Sequence, residues 1–243
     1  MTNTPRPAPL RADVSPTPFT PLPTVEGGFQ TVLADPPWRF TNRTGKVAPE
    51  HRRLDRYDTM SFDEIMALPV GETMSKNAHL YLWVPNALLP EGLEVMKAWG
   101  FRYVSNVIWA KRRKDGGPDG RGVGFYFRNV TEILLFGVRG SMRTLPPARS
   151  QVNMIETRKR EHSRKPDEQY DFIESCSPGP RLEMFARYPR DGWHVWGNEA
   201  QSEDEVRGKV HKGYEGGAIE RPVVVYEESD DYEIAEIEEL VRQ

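Results

Sequence analysis

Residues 31–40 read TVLADPPWRF. The four residues of 31–34 are apolar or β-branched and suit a short buried strand. Pro36 and Pro37 can neither donate to a ladder nor continue into a helix, so the strand ends at Asp35. A carboxylate at the carboxyl end of a strand in an open α/β sheet lies where such sheets bind their ligands. The two prolines fix φ twice running, which stiffens the backbone and aims its carbonyls in set directions. The plain alternative is a strand, a Pro-rich turn and an incidental tryptophan.

Outward from this segment, strand-like runs recur at 79–84 (HLYLWV), 103–109, 131–136, 152–155 and 181–185. They are short and mainly apolar, as expected of strands covered on both faces. Helical patterns fall between them. Ser61-Phe-Asp-Glu64 is a capping box leading into Ile65, Met66 and Leu68. Leu88, Leu89, Leu93, Met96 and Trp99 follow helical spacing up to a stop at Gly100. Residues 166–176 open on a proline and place Tyr170 and Ile173 on one face. Strands alternating with helices predict a single α/β domain, Rossmann-like, with a doubly wound mixed sheet and helices on both faces.

The flanks differ from this core. Residues 1–28 hold seven prolines and few large apolar side chains, and read as a disordered arm. The domain is expected over 29–200. An acidic tail follows at 201–243, with a candidate amphipathic helix through Ile234, Ile237, Leu240 and Val241. Neither a signal peptide nor a transit pattern opens the chain, and no apolar run approaches the roughly 20 residues that span a bilayer. One cysteine, Cys176, excludes an internal disulfide, and five scattered histidines offer no zinc spacing, so no metal is expected. A reducing cytoplasm is the expected setting.

The net charge of −3 conceals a bipolar layout. Residues 102–190 hold 18 Lys and Arg against 10 Asp and Glu, whereas 199–243 hold 14 acidic residues against five basic ones. Basic residues cluster at Lys111, Arg112, Arg113 and Lys114, at Arg139, Arg143 and Arg149, and at 158–160, with Phe125, Tyr126 and Phe127 interleaved. That combination suits a surface tracking the phosphates of a nucleic acid, the alternative being a solvated loop face. The Gly-rich stretch 116–124 opens no helix after a strand, so it reads as a long binding loop rather than a dinucleotide cradle.

The stiff acidic segment suits chemistry at the exocyclic amine of a nucleobase. The lone pair of such an amine is delocalised into the ring, and two acceptors that take its N–H groups hold it ready for an incoming electrophile. The Asp35 carboxylate and the Pro36 carbonyl are placed for this, with Trp38 offering a face for an unstacked base.

Asp35-Pro36-Pro37-Trp38 resembles the signature of S-adenosylmethionine-dependent amino methyltransferases, in the form carried by the family of the eukaryotic messenger-RNA adenosine N6-methyltransferase catalytic subunit. The resemblance runs from about residue 29 to 199 and includes RYDTMSFDEI (56–65), the run 79–111, EHSRKPDEQYDFIESCSPGPRLEMFAR (161–187) and GWHVWGNE (192–199). It implies a Rossmann-like enzyme that binds S-adenosylmethionine, needs no metal and methylates adenine N6. It further implies a catalytic loop at Asp35, Pro36, Pro37 and Trp38, and a substrate-closing aromatic at Tyr57. Asp35, Lys165, Arg187, Asn198 and Glu199 then fall in the cofactor pocket, with Lys165 also near the substrate. Residues 188–191 lack the His-Asn pair of the eukaryotic subunit, which leaves the ribose contacts there without a counterpart.

The resemblance to short prokaryotic or phage members implies DNA as the substrate, read by the 111–130 and 139–160 loops with Lys111, Arg112 and Arg113 in contact. It also implies a monomer or homodimer with no obligatory heterologous partner and no membrane. Methylation of RNA adenine or of cytosine N4, and a non-catalytic nucleic-acid-binding paralogue, are the alternatives.

Overall fold

A computed structural model describes residues 21–39, 59–119, 126–146, 148–158, 164–186 and 190–197. Seven strands form one sheet in the order β5-β3-β4-β2-β1-β6-β7. They are β1 Phe29–Ala34, β2 Met74–Val84, β3 Arg102–Arg112, β4 Thr131–Arg139, β5 Met154–Arg158, β6 Arg181–Met184 and β7 Trp193–Trp196. The helices are α1 Phe62–Met66, α2 Val70–Thr73, α3 Leu89–Ala98 and α4 Glu168–Cys176. The sheet is mixed, as expected. β1 runs parallel to β2 and β6, β6 to β7 and β3 to β5, while β4 is antiparallel to β2 and β3.

Alternation along the strands builds a core on each face. Val32, Ala34, Leu80, Leu82, Leu182 and Met184 point to one side, against Ile65 of α1 and Val95 and Met96 of α3. Leu33, Tyr81, Trp83, Trp109 and Leu134 point to the other, against Ile173 of α4. The capping box is formed as the sequence predicts: Ser61 Oγ accepts from the Glu64 amide, and Glu64 accepts from the Ser61 amide at 2.7 Å. Gly92 lets α3 approach the end of β2, because a Cβ there would lie 2.6 Å from a Val84 methyl.

Three expectations are corrected. The fifth strand lies at 154–158 rather than 152–155, held by its ladder to β3 from Ile108 onward. The short β7 goes unread in the sequence because it is only four residues long and buries Trp193 on one face and Trp196 on the other, so neither face carries an apolar stripe. β3 is not covered along its whole length: Arg102–Ser105 are exposed, since β5 reaches only the later half of the strand.

His79 of β2 is fully buried, its Nδ1 2.7 Å from Ser177 Oγ, which also contacts the Tyr81 hydroxyl at 2.7 Å. Burial holds the imidazole below its ordinary pKa.

The order of the strands positions the site. From β1 the chain builds the sheet outward through β2 and returns to β6 on the other side of β1. Asp35 therefore follows β1 at the switch point, where open α/β sheets leave a crevice. The candidate helix at 234–241, the acidic tail and residues 1–20 of the arm expected over 1–28 lie outside the described residues, whereas 21–28 are placed against the domain, with Leu22 buried in the core and Val25 packed on it.

Candidate active site

The turn after β1 is held from several sides. The Trp38 amide donates to the Pro36 carbonyl at 2.8 Å, closing a three-residue turn around Pro37, and the Met60 amide donates to the Pro37 carbonyl at 3.0 Å. Trp38 and Met60 form an isolated parallel bridge, and Arg39 donates to the Thr59 carbonyl at 3.0 Å. The Trp38 ring is 7% exposed, and its indole N–H donates to the Trp83 carbonyl at 3.0 Å. Trp38 thus anchors the turn to the end of β2 and does not present the open face that the sequence suggests. A residue with one polar N–H and a large apolar body is suited to that job. The Pro36 carbonyl keeps a second lone pair for another donor.

Beyond the turn lies a row of alternating charges. Lys165, just ahead of α4, places Nζ 3.2 Å from Asp35 Oδ1 and 3.1 Å from Glu132 Oε2. The other oxygen of Glu132 is paired with Lys111. Burial pulls the Lys165 ammonium toward neutrality, but the carboxylates of Asp35 and Glu132 outweigh it and its pKa rises above the ordinary value. Burial likewise works against ionised Glu132, and Lys165 and Lys111 together hold its carboxyl below the usual range. Lys165 and Glu132 are therefore both charged at neutral pH.

Aromatic side chains line this row. Lys165 Nζ lies 5.4 Å from the centroid of the Trp83 ring and Lys111 Nζ 4.8 Å from that of Trp109. The two indoles meet edge-on at 6.2 Å, and each N–H is satisfied: Trp83 donates to Gln169 at 2.7 Å and Trp109 to Thr157 at 2.9 Å. Such rings favour a nearby cation and exclude water. On β6, Glu183 accepts from the Tyr170 hydroxyl at 2.9 Å through Oε1, while its Oε2 is buried with no hydrogen-bond partner among the described residues. Burial raises the Glu183 carboxyl to about 7 against the partial relief of the Tyr170 bond, and the negative charge of Asp35 adds to the rise.

Of the residues singled out in the sequence, Asp35, Lys165 and Lys111 come together in this row. Arg112 and Arg113 do not join it: they pair with Glu156 and with Asp115. The basic clusters are likewise less free than their count suggests, since Arg139 donates to the Gly71 carbonyl and Arg149 to that of Thr144. Tyr57, Arg187, Asn198 and Glu199 lie outside the described residues. Sequence reasoning missed Glu132, Glu183, Trp83 and Trp109. The available signal is Glu132 itself, a lone carboxylate in the otherwise apolar strand-like run 131–136.

A family model described as MT-A70 matches residues 29–199, most of the chain and all of the elements described above. The chain belongs to the MT-A70 family. Similar MT-A70 relatives include the N(6)-adenosine-methyltransferase MT-A70-like protein of Drosophila melanogaster, 33% identical over 72% of this chain and 28% of the relative. The human N(6)-adenosine-methyltransferase catalytic subunit METTL3 is 29% identical over 81% of this chain and 33% of the relative. The Type II methyltransferase M.MunI of a Mycoplasma species is 26% identical over 70% of this chain and 77% of the relative. The chain thus spans about a quarter to a third of the length of these eukaryotic relatives and about three quarters of the mycoplasmal one.

Proposed function

We propose that this chain transfers a methyl group from S-adenosylmethionine to the exocyclic N6 amine of adenine in nucleic acid, with DNA as the substrate. The observation that supports the reading most is the Asp35 carboxylate, set at the carboxyl end of β1 by two prolines and paired with the Lys165 ammonium at 3.2 Å. Asp35 is one third exposed, so a ligand can reach it.

The donor set fits the cofactor. S-Adenosylmethionine carries an ammonium and a carboxylate on its amino-acid end, a sulfonium and a ribose diol. Lys165 suits the carboxylate and Asp35 suits the ammonium, and the Oε2 of Glu183, without a partner among the described residues, offers a further polar contact. When bound, the cofactor supplies an activated methyl group. The chain's own part is orientation. Asp35 and the free lone pair of the Pro36 carbonyl accept the two N–H groups of adenine N6, which turns the nitrogen lone pair out of the ring plane. The indoles of Trp83 and Trp109 keep water from the row and strengthen its charges.

DNA is favoured by the extent of the match to M.MunI, which covers most of that relative. RNA is the second reading, supported by the adenosine activity in the names of the eukaryotic relatives. A non-catalytic paralogue would have no need of the Asp35–Lys165–Glu132 row. A monomer or homodimer is the proposed working unit.

The test is incubation with methyl-labelled S-adenosylmethionine and, in parallel, double-stranded DNA, single-stranded DNA and RNA, followed by digestion and identification of the labelled nucleoside. Label in N6-methyldeoxyadenosine is expected. Label in N6-methyladenosine alone would retain the chemistry and overturn DNA; no label in any arm would overturn the enzyme reading.

A further inference from the structure

An adenine that reaches Asp35 has left its stack, and the bases beside it have each lost a neighbour. Two aromatic side chains are placed to replace that neighbour. Tyr126 and Phe127 are 85% and 84% exposed, far more than any other large apolar residue described. They lie in the connection between β3 and β4, three residues before Val130, whose carbonyl accepts from the Lys111 amide at 2.9 Å.

The ladders put this connection at the same end of the sheet as Asp35. Ala110 pairs with Thr131, where β4 begins, and Ile133 pairs with Val84, the last residue of β2. Glu132, which holds Lys165 toward Asp35, lies between them. Phe127 is thus joined to the charged row by a stretch of chain spanning at most about 18 Å.

The surroundings of the two rings are cationic. Arg128 follows them directly, and Lys114 sits on the tight turn that opens the same connection, where the Arg113 amide donates to the Gly117 carbonyl at 2.8 Å. Both side chains are exposed, and neither forms an ion pair with a described residue. Adjacent exposed rings flanked by exposed cations match the chemistry of an unpaired strand, in which flat bases alternate with phosphates. They do not match a duplex, whose bases already have both faces covered.

We propose that Tyr126 and Phe127 form a stacking platform for the unpaired bases next to the target adenine, with Lys114 and Arg128 on the flanking phosphates, so that the substrate is engaged as a single strand. This inference rests on the reading of the chain as a nucleic-acid methyltransferase and adds the strand state to it. Aromatic stacking on a base tolerates any sequence, since every base has a π face, so the platform holds the strand without selecting its sequence.

The experiment uses the full chain and a fluorescein-labelled oligothymidine strand containing one adenine, with affinity read by anisotropy. The wild type is expected to bind this strand more tightly than the same sequence in a duplex. The double variant Y126A/F127A is expected to lose at least about fivefold in affinity for the strand, with S-adenosylmethionine affinity by calorimetry and thermal unfolding unchanged. The variant Y126F/F127Y, which keeps both rings, is expected to bind as the wild type does. Strand affinity unchanged in Y126A/F127A would overturn the platform, as would a shift from dimer to monomer on sedimentation with no change in affinity, which would assign the rings to a second copy. If the wild type methylates adenine while the double variant binds normally, the platform falls alone. If the wild type methylates no nucleic acid, the underlying reading falls as well.

Discussion

Asp35 and Glu132 share one ammonium: Lys165 Nζ stands 3.2 Å from the first and 3.1 Å from the second, although β2 lies between their strands. One lysine, held ahead of α4, thus ties the turn after β1 to the start of β4. Lys111 closes the row on the far side of Glu132.

Asp35→Ala removes the acceptor that orients the target amine. Methyl transfer is expected to fall by at least about a thousandfold, the scale on which loss of a preorganised transition-state contact is felt. Nucleic-acid affinity is expected to stay within a few fold, because the carboxylate acts chiefly at the transition state. Single-turnover rates and anisotropy measured on the same preparation check both parts, and equal losses in the two would remove Asp35 from that role.

Glu132→Gln keeps the shape of the side chain and deletes its charge, leaving Lys111 and Lys165 with less compensation. Since the row is mostly buried, a loss of about 3 kcal/mol in stability is expected, read from urea unfolding. S-Adenosylmethionine binding should weaken as well, because Lys165 loses one of the two carboxylates that fix its position. Cofactor affinity unchanged by the substitution would detach Glu132 from the pocket.

Glu183 gives a pH dependence whose sign is determined. Its carboxyl titrates at about 7 in the fold against an ordinary value of 4.5, with burial as the main cause. The folded chain therefore holds this proton more tightly than the unfolded chain. The resulting stability is fully present below pH 4.5 and is lost as pH rises toward about 7, by about 3 kcal/mol at most. His79 works in the opposite sense, its lowered pKa weakening the fold in acid. The comparison of wild type with Glu183→Gln isolates the first effect: urea unfolding at several pH values should show the difference between them changing across this window. A constant difference would contradict it.

Trp38→Phe retains the buried ring and removes the indole N–H, leaving the Trp83 carbonyl without that donor. A cost of about 1–3 kcal/mol in stability is expected. If Trp38 acts as the anchor of the catalytic turn, the transfer rate should fall while strand affinity is retained, because no stacking surface for a base is lost. Rapid-quench kinetics together with anisotropy separate the two effects.

The order of elements, the end of β1 at Asp35, the capping box at Ser61 and the α4 face bearing Tyr170 and Ile173 were legible in the chain, because each depends on neighbours within a turn or a few residues. So was the pairing of a carboxylate with two stiff prolines. The partners of that carboxylate were not. Glu132 is a single acid in an apolar strand, and its place beside Lys165 depends on β4 entering the sheet antiparallel next to β2. Trp38 read as an open aromatic because local sequence carries no information on burial, and only the approach of the β2 end turns its ring inward. The basic runs read as a phosphate surface because charge can be counted along a chain. Their pairing with Glu132, Glu156 and Asp115 required the fold, since ion pairs are settled by distances in space. Local sequence sufficed for the family, the layered α/β architecture and the position of Asp35 at the carboxyl end of β1. Tertiary structure decided which charges and rings surround that acid, because contacts between distant strands follow from register and packing.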